Sequence, residues 1–427
     1  GNVHYDTTKN GKIVLAGKVK ADIKEGGTVF YVQGNGGMPA LNTFNDDVFN
    51  DTMGNLTLNM NDKSTLLSAS NVTVNLSSAV GTPNFGGTST PTITGSSIYK
   101  IYKLHKSQFN VDSNVNLDNA NDAYNRIDVA NSSVDIKAGT TITGTKPNQN
   151  VIAQENPNTT NVSAIKLINS GTINLSGTGS SAIYGKFSEI TNNGNITLGE
   201  NSTALYGKSD SKIANNGTIT LGNKSTGIFA ADGVNNEVLN AGTITGTGNK
   251  AVGIVYDGTG AGARRINNTS TIRLSGENTI GMYAKGSNYI AENNGDIQVG
   301  NASNLNNPSI GMLTTVDNIQ LKNNGNITGG SNAVGIYGIN NIASIGSITT
   351  GDNSVGIYGK NNITSSGNIT GGNDSFGIYG VNNIISSGNI TTGENSTGIY
   401  GVNNITSSGN ITLSVYTEQT IFQTQEI

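Results

Sequence analysis

The 427-residue sequence contains no cysteine and only two histidines, His4 and His105. Without cysteine there can be no disulfide bonds and no thiolate-held zinc or iron–sulfur cluster. Neither histidine lies beside a G-x-S-x-G nucleophile motif, which argues against a histidine metal centre and against a Ser-His-Asp triad. We therefore predict no metal site, no bound cofactor and no catalytic residue.

Charge is also scarce, with 12% charged residues and a net charge of −4. A nucleic-acid-binding protein needs a dense basic face, and a membrane-surface anchor needs a run of lysine and arginine; the sequence has neither. No apolar run approaches the ~20 residues that a transmembrane helix requires. No secretion signal precedes Gly1, so we expect a processed or trimmed piece of a longer chain.

Glycine is abundant, with 58 residues, and so are Asn, Ser and Thr. Asn-x-Ser/Thr triplets recur, as at Asn195-Ile-Thr and Asn201-Ser-Thr. In eukaryotic secreted proteins this triplet accepts N-linked glycans. Here we interpret it as a by-product of the composition of a bacterial chain.

The apolar residues, 34% of the chain, recur at a fixed period. Successive copies of one aromatic position are 21 residues apart, at Tyr337, Tyr358, Tyr379 and Tyr400. Within one unit Ile336, Ile342 and Ile348 lie six residues apart, and Ile357 opens the next unit nine residues later. Segments this short and this rich in glycine cannot be helices, so three anchors per unit indicate three short strands joined by turns.

Stacking such units places each strand beside its copy in the next coil, with the isoleucines inside. We predict an all-β fold, a right-handed parallel β-helix with coils of about 21 residues and loop insertions. Leucine-rich repeats are the other solenoid considered, but the L-x-x-L-x-L pattern is absent. We assign irregular N-terminal coils with long loops to 1–160, with a separate cap in 1–60 as an alternative. The regular array is 161–413, and 414–427 is a terminal segment or cap.

Two columns of the repeat carry further predictions. Asn340–Asn341 recurs as Asn361–Asn362, Asn382–Asn383 and Asn403–Asn404. Asn tolerates left-handed turns and stacked amides can hydrogen-bond along the axis, so we predict an asparagine ladder at a corner. The Tyr337 column leaves two possibilities, an outward strip on which sugars stack or rings packed into the core. Replacement of this tyrosine by other apolar residues, at Phe229, Val255 and Leu313, favours packing.

The longer units predict a binding face. Their extra residues enter near the aromatic position, at 230–237, 256–265 and 300–308. Insertions at the same corner of successive coils would protrude side by side, and such a face is often the binding face of a repeat protein.

Four residues of the second insertion are the predicted binding residues: Tyr256, Asp257, Arg264 and Arg265. Arginine can hold a carboxylate or an acidic sugar through two hydrogen bonds, and tyrosine can stack on a sugar ring. The alternative is a solvated loop whose arginines pair with Asp257.

Parallel β-helices include polysaccharide lyases and hydrolases, which work through placed carboxylates. Asp46, Asp47 and Asp51 cluster in the sequence, but in a loop without the rigid alternation that would hold an acid–base distance. We therefore predict that the chain is not an enzyme, with a polysaccharide-degrading β-helix as the alternative.

The repeated phrase S-x-G-I-Y-G-x-N-N-I, followed by S-x-G-N-I-T, resembles the passenger repeats of very large type V autotransporters. It is most similar to the outer-membrane adhesins of fusobacteria. The resemblance covers residues 164–412 well and the first 160 residues only in texture.

This resemblance implies an exported, outer-membrane-anchored passenger at the bacterial cell surface. The chain would then be a passenger segment excised from a longer protein that ends in a membrane barrel. Such a passenger attaches to host-cell proteins or glycans, or to other bacteria. We predict a monomer. The resemblance leaves open whether this segment is the adhesive tip or the stalk.

Overall fold

The computed structural model describes residues 13–14, 18–34, 42–45, 49–50, 56–61, 63–76, 92–95, 100–112, 114–120, 127–155, 160–414 and 420–423. In these residues the chain consists of β-strands and two short 3-10 helices, Leu117–Ala120 and Val162–Ala164, without an α-helix. The chain divides into two compact units, residues 1–212 and 213–427. The boundary predicted at residue 160 followed the regularity of the sequence and not this division.

In the first unit successive coils stack their strands into parallel sheets. The strands of the first sheet are Thr28–Gln33, Thr65–Ser70, Lys100–His105, Ile127–Ala130, Asn150–Gln154, Ser181–Lys186 and Thr203–Lys208. Those of the second are Asn42–Asn45, Val72–Leu76, Gln108–Val111, Ser133–Ile136, Lys166–Asn169 and Glu189–Asn192. Those of the third are Val115–Asn116, Thr141–Gly144, Thr172–Leu175 and Asn195–Leu198. Two small parallel sheets contain Val19–Ile23, Leu56–Met60 and Thr92–Gly95, and Ile13–Val14 with Phe49–Asn50.

The second unit is likewise built from three parallel sheets. Its first-sheet strands are Thr226–Ala231, Val252–Thr259, Ile280–Ser287, Ser309–Thr314, Ala333–Tyr337, Val355–Tyr358, Phe376–Tyr379, Thr397–Tyr400 and Thr420–Gln423. Its second-sheet strands are Lys212–Asn215, Glu237–Asn240, Arg264–Asn268, Tyr289–Asn293, Ile319–Asn323, Asn340–Ser344, Asn361–Ser365, Asn382–Ser386 and Asn403–Ser407. Its third-sheet strands are Thr218–Leu221, Thr243–Gly246, Thr271–Leu274, Asp296–Val299, Ile327–Gly329, Ile348–Thr349, Ile369–Thr370, Ile390–Thr392 and Ile411–Leu413.

The isoleucine anchors lie where the period predicts. Ile336, Ile342 and Ile348 are at most 1% exposed, one on each sheet. Ile342 pairs in register with Ile363, and the copies of the other two anchors pair in the same way. The predicted parallel β-helix with coils of about 21 residues is confirmed.

The first sheet departs from regular strand alternation at one glycine per coil. A Cβ on Gly335 would lie 2.5 Å from Cγ2 of Ile348, so this residue faces the interior, and the adjacent Ile336 is fully buried as well. Two consecutive inward residues shift the phase of the strand. Val334 therefore packs in the same apolar cluster as Tyr337 and does not share the face of Ile336.

The tyrosine column faces outward and is packed. Neighbouring rings from Tyr337 to Tyr400 are 4.7, 5.2 and 4.6 Å apart and within 13° of parallel. Val334, Val355 and Phe376 pack against them. Each ring thus covers the face of the next, and a sugar needs an open ring face for stacking. The geometry favours the packing role over the sugar strip.

The predicted asparagine ladder is present at the corner between the first and second sheets. Asn361 Nδ2 donates to Asn340 Oδ1 at 2.7 Å, and the bond repeats at 2.7 and 2.8 Å in the following coils. The second amide of each pair forms a parallel column, and Asn362 has the left-handed φ of 54° that the prediction assumed. The eight amides line an open groove of about 560 Å³.

A second asparagine ladder, which was not predicted from the sequence, lies on the inner face of the second sheet. In the second unit it joins Asn215, Asn240, Asn268, Asn293 and Asn323, all 0% exposed, through bonds of 2.7–2.8 Å between side-chain amides. In the first unit Asn169 donates to Asn192 in the same way. Since a buried amide without a partner is costly, the continuous column satisfies each member through its neighbours.

The inner ladder ends where serine replaces asparagine. Asn323 donates to Ser344 Oγ at 3.2 Å, but the hydroxyls of Ser365 and Ser386 are buried without a partner in the part of the chain that the structure describes. A serine hydroxyl is too short to reach its copy one strand spacing away, about 4.8 Å along the axis.

We expect Ile363→Asp to lower stability on the order of 4 kcal/mol, because it buries an unpaired carboxylate between two coils. Thermal unfolding followed by circular dichroism measures the effect. Thr364→Asp, on the exposed face of the same strand, is the control and should change little. Equal melting temperatures for the two variants would contradict the assigned register.

We expect the double variant Ser344→Asn and Ser365→Asn to raise stability by roughly 1 kcal/mol for each new hydrogen bond. The backbone already matches, since the residues two places on from Asn293 and Ser344 are glycines whose carbonyl oxygens accept from those side chains. Ser366→Asn, on the exposed side, is the control. A lower melting temperature for the double variant alone would show that the interior lacks room for the amides.

Candidate binding surface

Three insertions at the corner between the first and second sheets lie side by side in the second unit. They are residues 232–236, 256–263 and 284–288, and we call them together the ledge. The strands Val252–Thr259 and Ile280–Ser287 run eight residues each, longer than the other first-sheet strands described. Their register continues to Thr259 beside Ser287, so the ledge is an outward extension of the sheet.

Backbone hydrogen bonds hold the three insertions together. Thr259 N–H donates to Gly233 O at 3.0 Å, and Gly260 N–H donates to Ser287 O at 3.1 Å. Gly286 has a φ of 81°, and a side chain there would collide with the carbonyl oxygen of Gly258. Glycine at this position is what lets the second and third insertions approach.

A pair of tyrosines fills the inside of the ledge. Tyr256 is 0% exposed, and its ring centroid lies 4.6 Å from that of Tyr289. The Tyr256 hydroxyl donates to backbone carbonyl oxygens, 3.2 Å from Asn236 O and 3.1 Å from Thr259 O. Burial raises the pKa of Tyr289, and the nearby Tyr256 adds to the effect. Tyr256 therefore supports the ledge from within, and its ring has no open face for a sugar.

Arg265 also points into the ledge. Arg265 is 9% exposed, and its Nη2 donates to Asn235 Oδ1 at 3.3 Å and to Gly260 O at 3.4 Å. Its Nη1 lies 3.8 Å from a Glu237 carboxylate oxygen. These bonds tie the first insertion to the second, so Arg265 holds the ledge together and does not reach outward.

The outer side of this region carries a three-charge cluster. Glu292, with 9% of its side chain exposed, receives Arg264 Nη1 at 3.0 Å on one carboxylate oxygen and Lys322 Nζ at 2.9 Å on the other. Arg264 remains 53% exposed and Lys322 44% exposed. One buried carboxylate thus holds two cations at the surface, with a net charge of +1.

The two cations stabilise the ionised form of Glu292. Burial acts to raise the pKa of its carboxyl, but the hydrogen bonds and charges of Lys322 and Arg264 outweigh burial and hold the pKa below its ordinary value. Asp257 makes a separate pair with Lys285 at 3.0 Å, and this bond raises the pKa of the lysine.

The predicted site is therefore only partly assembled at the surface. Arg264 and Asp257 are accessible, whereas Tyr256 and Arg265 are interior. The alternative in which the arginines pair with Asp257 is not what the structure shows, because glutamates pair with both arginines.

One predicted insertion lies elsewhere. Residues 300–308 connect the third-sheet strand Asp296–Val299 to the first-sheet strand Ser309–Thr314, so they occupy a different corner. The third member of the ledge is 284–288. The inner asparagines could have identified it, because each of them marks the second-sheet strand of its coil. Counting residues along the sequence from these asparagines shows whether the extra residues of a coil come before or after that strand.

A shallow groove of about 340 Å³ lies on the outer face of the third sheet, lined by Arg273, Asp296, Gln298 and Asn326 among others. Asn326 Nδ2 donates to Asp296 Oδ1 at 3.0 Å. Arg273 is exposed beside Gln298 in the next strand. The groove offers hydrogen-bonding groups of both kinds to a polar ligand.

Among the described residues, no three His, Asp or Glu side chains converge in a group that could hold a metal ion. The predicted acidic loop, Asp46, Asp47 and Asp51, and also His4, lie outside the described residues. In the described part of the chain there is no helix long and apolar enough to cross a membrane.

A comparison with protein families finds a match over part of the chain. The family described as the BigA third pectate lyase-like domain matches residues 188–353, which include the ledge and the charge cluster. No curated protein and no solved structure matches the chain.

We expect Glu292→Gln to remove a pH-dependent contribution to stability. The depressed pKa means that Glu292 stabilises the folded chain above its unfolded pKa, near 4.5, and that this contribution is lost as pH falls through the lower folded value. The melting-temperature difference between wild type and variant should thus be largest at neutral pH and shrink in acid.

Melting curves of the two proteins at a series of pH values measure this difference. Glu277→Gln, at an exposed carboxylate on another corner, is the matched control. A difference that stays constant from neutral to acid pH would contradict the assigned role.

Proposed function

We propose that the chain is a segment of an exported bacterial adhesin, displayed at the cell surface and anchored to the outer membrane, and that the ledge with its charge cluster contacts the partner. The observation that carries the proposal is the ledge itself, a side-by-side protrusion on an otherwise repetitive solenoid. Repeat proteins commonly bind through such same-side insertions.

The family match supports the proposal of an adhesin segment. The matching family is named for a domain of BigA, which is an autotransporter-like adhesin. A β-solenoid suits a passenger, because each coil contacts only its neighbours and a long display body can be built from a short unit. The similarity to fusobacterial adhesins remains a proposal.

The chemistry of the charge cluster favours an anionic partner group. Arg264 and Lys322 are exposed and held in place by a buried carboxylate, so little side-chain entropy is lost when they bind. A carboxylate or acidic sugar on a host-cell protein or glycan, or on another bacterium, would meet both cations. We propose that the chain acts as a monomer.

A polysaccharide-degrading enzyme is the alternative function. The family name contains the words pectate lyase-like, and the groove with Arg273 and Asp296 is where such an activity would sit. We propose that the chain is not an enzyme. Release of reducing or unsaturated sugar from pectin-type polymers, lost in Asp296→Asn, would overturn it.

Binding of the labelled chain to cultured host cells and to other bacteria tests the adhesin proposal. The triple variant Arg264→Gln, Glu292→Gln and Lys322→Gln removes both cations without leaving an unpaired buried carboxylate. We expect its affinity to fall about tenfold or more, which corresponds to about 1.4 kcal/mol.

Lys250→Gln is the matched control, since it changes the net charge by the same amount at an exposed residue on another corner. Wild type and control should bind alike. Undiminished binding by the triple variant would remove the charge cluster from the site, and no binding by the wild type would overturn the adhesin role of this segment.

A further inference from the structure

Between residues 160 and 414 most Asn-x-Ser/Thr triplets lie at the surface, whereas the three described before residue 160, at Asn71, Asn75 and Asn131, are half-buried. Seventeen asparagines between residues 160 and 414 begin such a triplet with a residue other than proline in the middle, and fifteen of them are exposed. The exposed ones are Asn161, Asn174, Asn195, Asn201, Asn216, Asn223, Asn301, Asn326, Asn362, Asn368, Asn373, Asn389, Asn395, Asn404 and Asn410.

The other asparagines of the same segment behave differently. Of 26 that do not begin a triplet, only 13 are exposed, and seven are buried. Composition alone would put triplet and non-triplet asparagines at the surface equally often. The buried asparagines of the inner ladder almost all lack the Ser or Thr two places on; Asn268 is the exception.

The third sheet shows how the fold presents the triplet. In Asn389-Ile-Thr the isoleucine is buried and the Asn and Thr are exposed, so both side chains stand on the outer face of one strand. Asn368 with Thr370 precedes it and Asn410 with Thr412 follows it, all exposed and in register one coil apart, although Ile411 is half-buried. Three acceptor triplets thus stand in one outward column.

The hydrogen bonds of this column leave one atom available. Asn368 Oδ1 accepts the backbone N–H of Asn389 at 3.1 Å, and Asn389 Oδ1 accepts that of Asn410 at 3.1 Å. In the described part of the chain the Nδ2 atoms of Asn368 and Asn389 make no hydrogen bond. A substituent on Nδ2 would point into solvent and leave the column intact.

We propose that the outer face of the third sheet is an acceptor surface for N-linked sugars, with Asn368, Asn389 and Asn410 as its main sites. This goes beyond the proposed adhesin role and does not depend on it. The donor is a sugar carried on a diphosphate. The Asn Nδ2 forms a bond to the anomeric carbon, the bond from that carbon to the diphosphate oxygen breaks, and the amide proton passes to a base of the transferase.

A structural role alone does not account for the threonine. The amide bonds of the column need Asn but make no use of the residue two places on. The second amides of the Asn-Asn pairs at the corner allow an Asn in the ladder to be compared with and without a triplet. Asn362 and Asn404 are followed by Ile-Thr, whereas Asn341 and Asn383 are followed by Ile-Ala and Ile-Ile. All four are exposed with φ between 53° and 57°.

The test is peptide mass mapping of the chain isolated from the cells that naturally produce it. We expect sugar on Asn389, and none on Asn341 or Asn383, which have the same exposure but no triplet. A single added hexose indicates a nucleotide-linked donor, and an oligosaccharide of fixed mass indicates a lipid-linked donor; either supports the proposal.

Variants expressed in the same cells test the triplet itself. Thr391→Ser keeps the triplet and should retain the sugar on Asn389, whereas the isosteric Thr391→Val should lose it. Ser347→Asn creates a new triplet with Thr349 in the same column and should gain a sugar. Peptide mapping reads the modification directly, so the result is independent of whether the chain binds cells.

An unmodified Asn368, Asn389 and Asn410 in the native chain would overturn the proposal. So would equal modification of Asn383 and Asn362, or a sugar on Asn389 that survives Thr391→Val.

Discussion

Axial register is the constraint on which the rest of the structure depends. Because backbone hydrogen bonds join each strand to its copy in the next coil, a residue type chosen once in the repeat becomes a column with a spacing of about 4.8 Å. Isoleucine then gives a continuous interior, tyrosine a stack of rings, and asparagine two sets of amide ladders. Each side chain must therefore pack against, or hydrogen-bond to, an identical side chain in the next coil.

This constraint accounts for the low charge of the chain. Two like charges one strand spacing apart repel by about 0.9 kcal/mol even at the dielectric constant of water, and a column of them repeats this cost in every coil. Amides, which donate to and accept from their own copies, and hydroxyls, which carry no charge, do not repel. One charge cluster lies where the repeat is irregular, at Glu292, whose neighbours along the axis are Asn267 and Lys322.

Much of the fold could be predicted from the sequence because the period fixes the register. The isoleucine columns and the ladder that begins at Asn340 follow from spacing alone. The orientation of Val334 could not be predicted, since it depends on two consecutive inward residues at Gly335, which a simple alternation does not reveal.

The candidate site was harder to predict. The sequence located the insertion that holds Arg264, but the burial of Tyr256 and Arg265 depends on packing among three insertions far apart in sequence. Glu292, the partner of Arg264, comes from the following coil, and Lys322, which binds the same carboxylate, comes from the coil after that, so no local pattern links them. The inner ladder was missed for a related reason: several of its members, such as Asn215 and Asn293, stand beside exposed asparagines in the sequence, and only the phase of the strand distinguishes them.

The coils from Ala333 to Ser407 present the same isoleucines, glycines and amides to the coil before and to the coil after. A duplicated coil would therefore find a complementary partner on both sides, and the loss of one coil would rejoin two matching surfaces. Gene segments that encode such coils can be copied or deleted as whole units without any compensating substitution. The length of the array is thus a trait that recombination can change in single steps, whereas the irregular coils around the ledge, whose contacts occur once, can only change residue by residue.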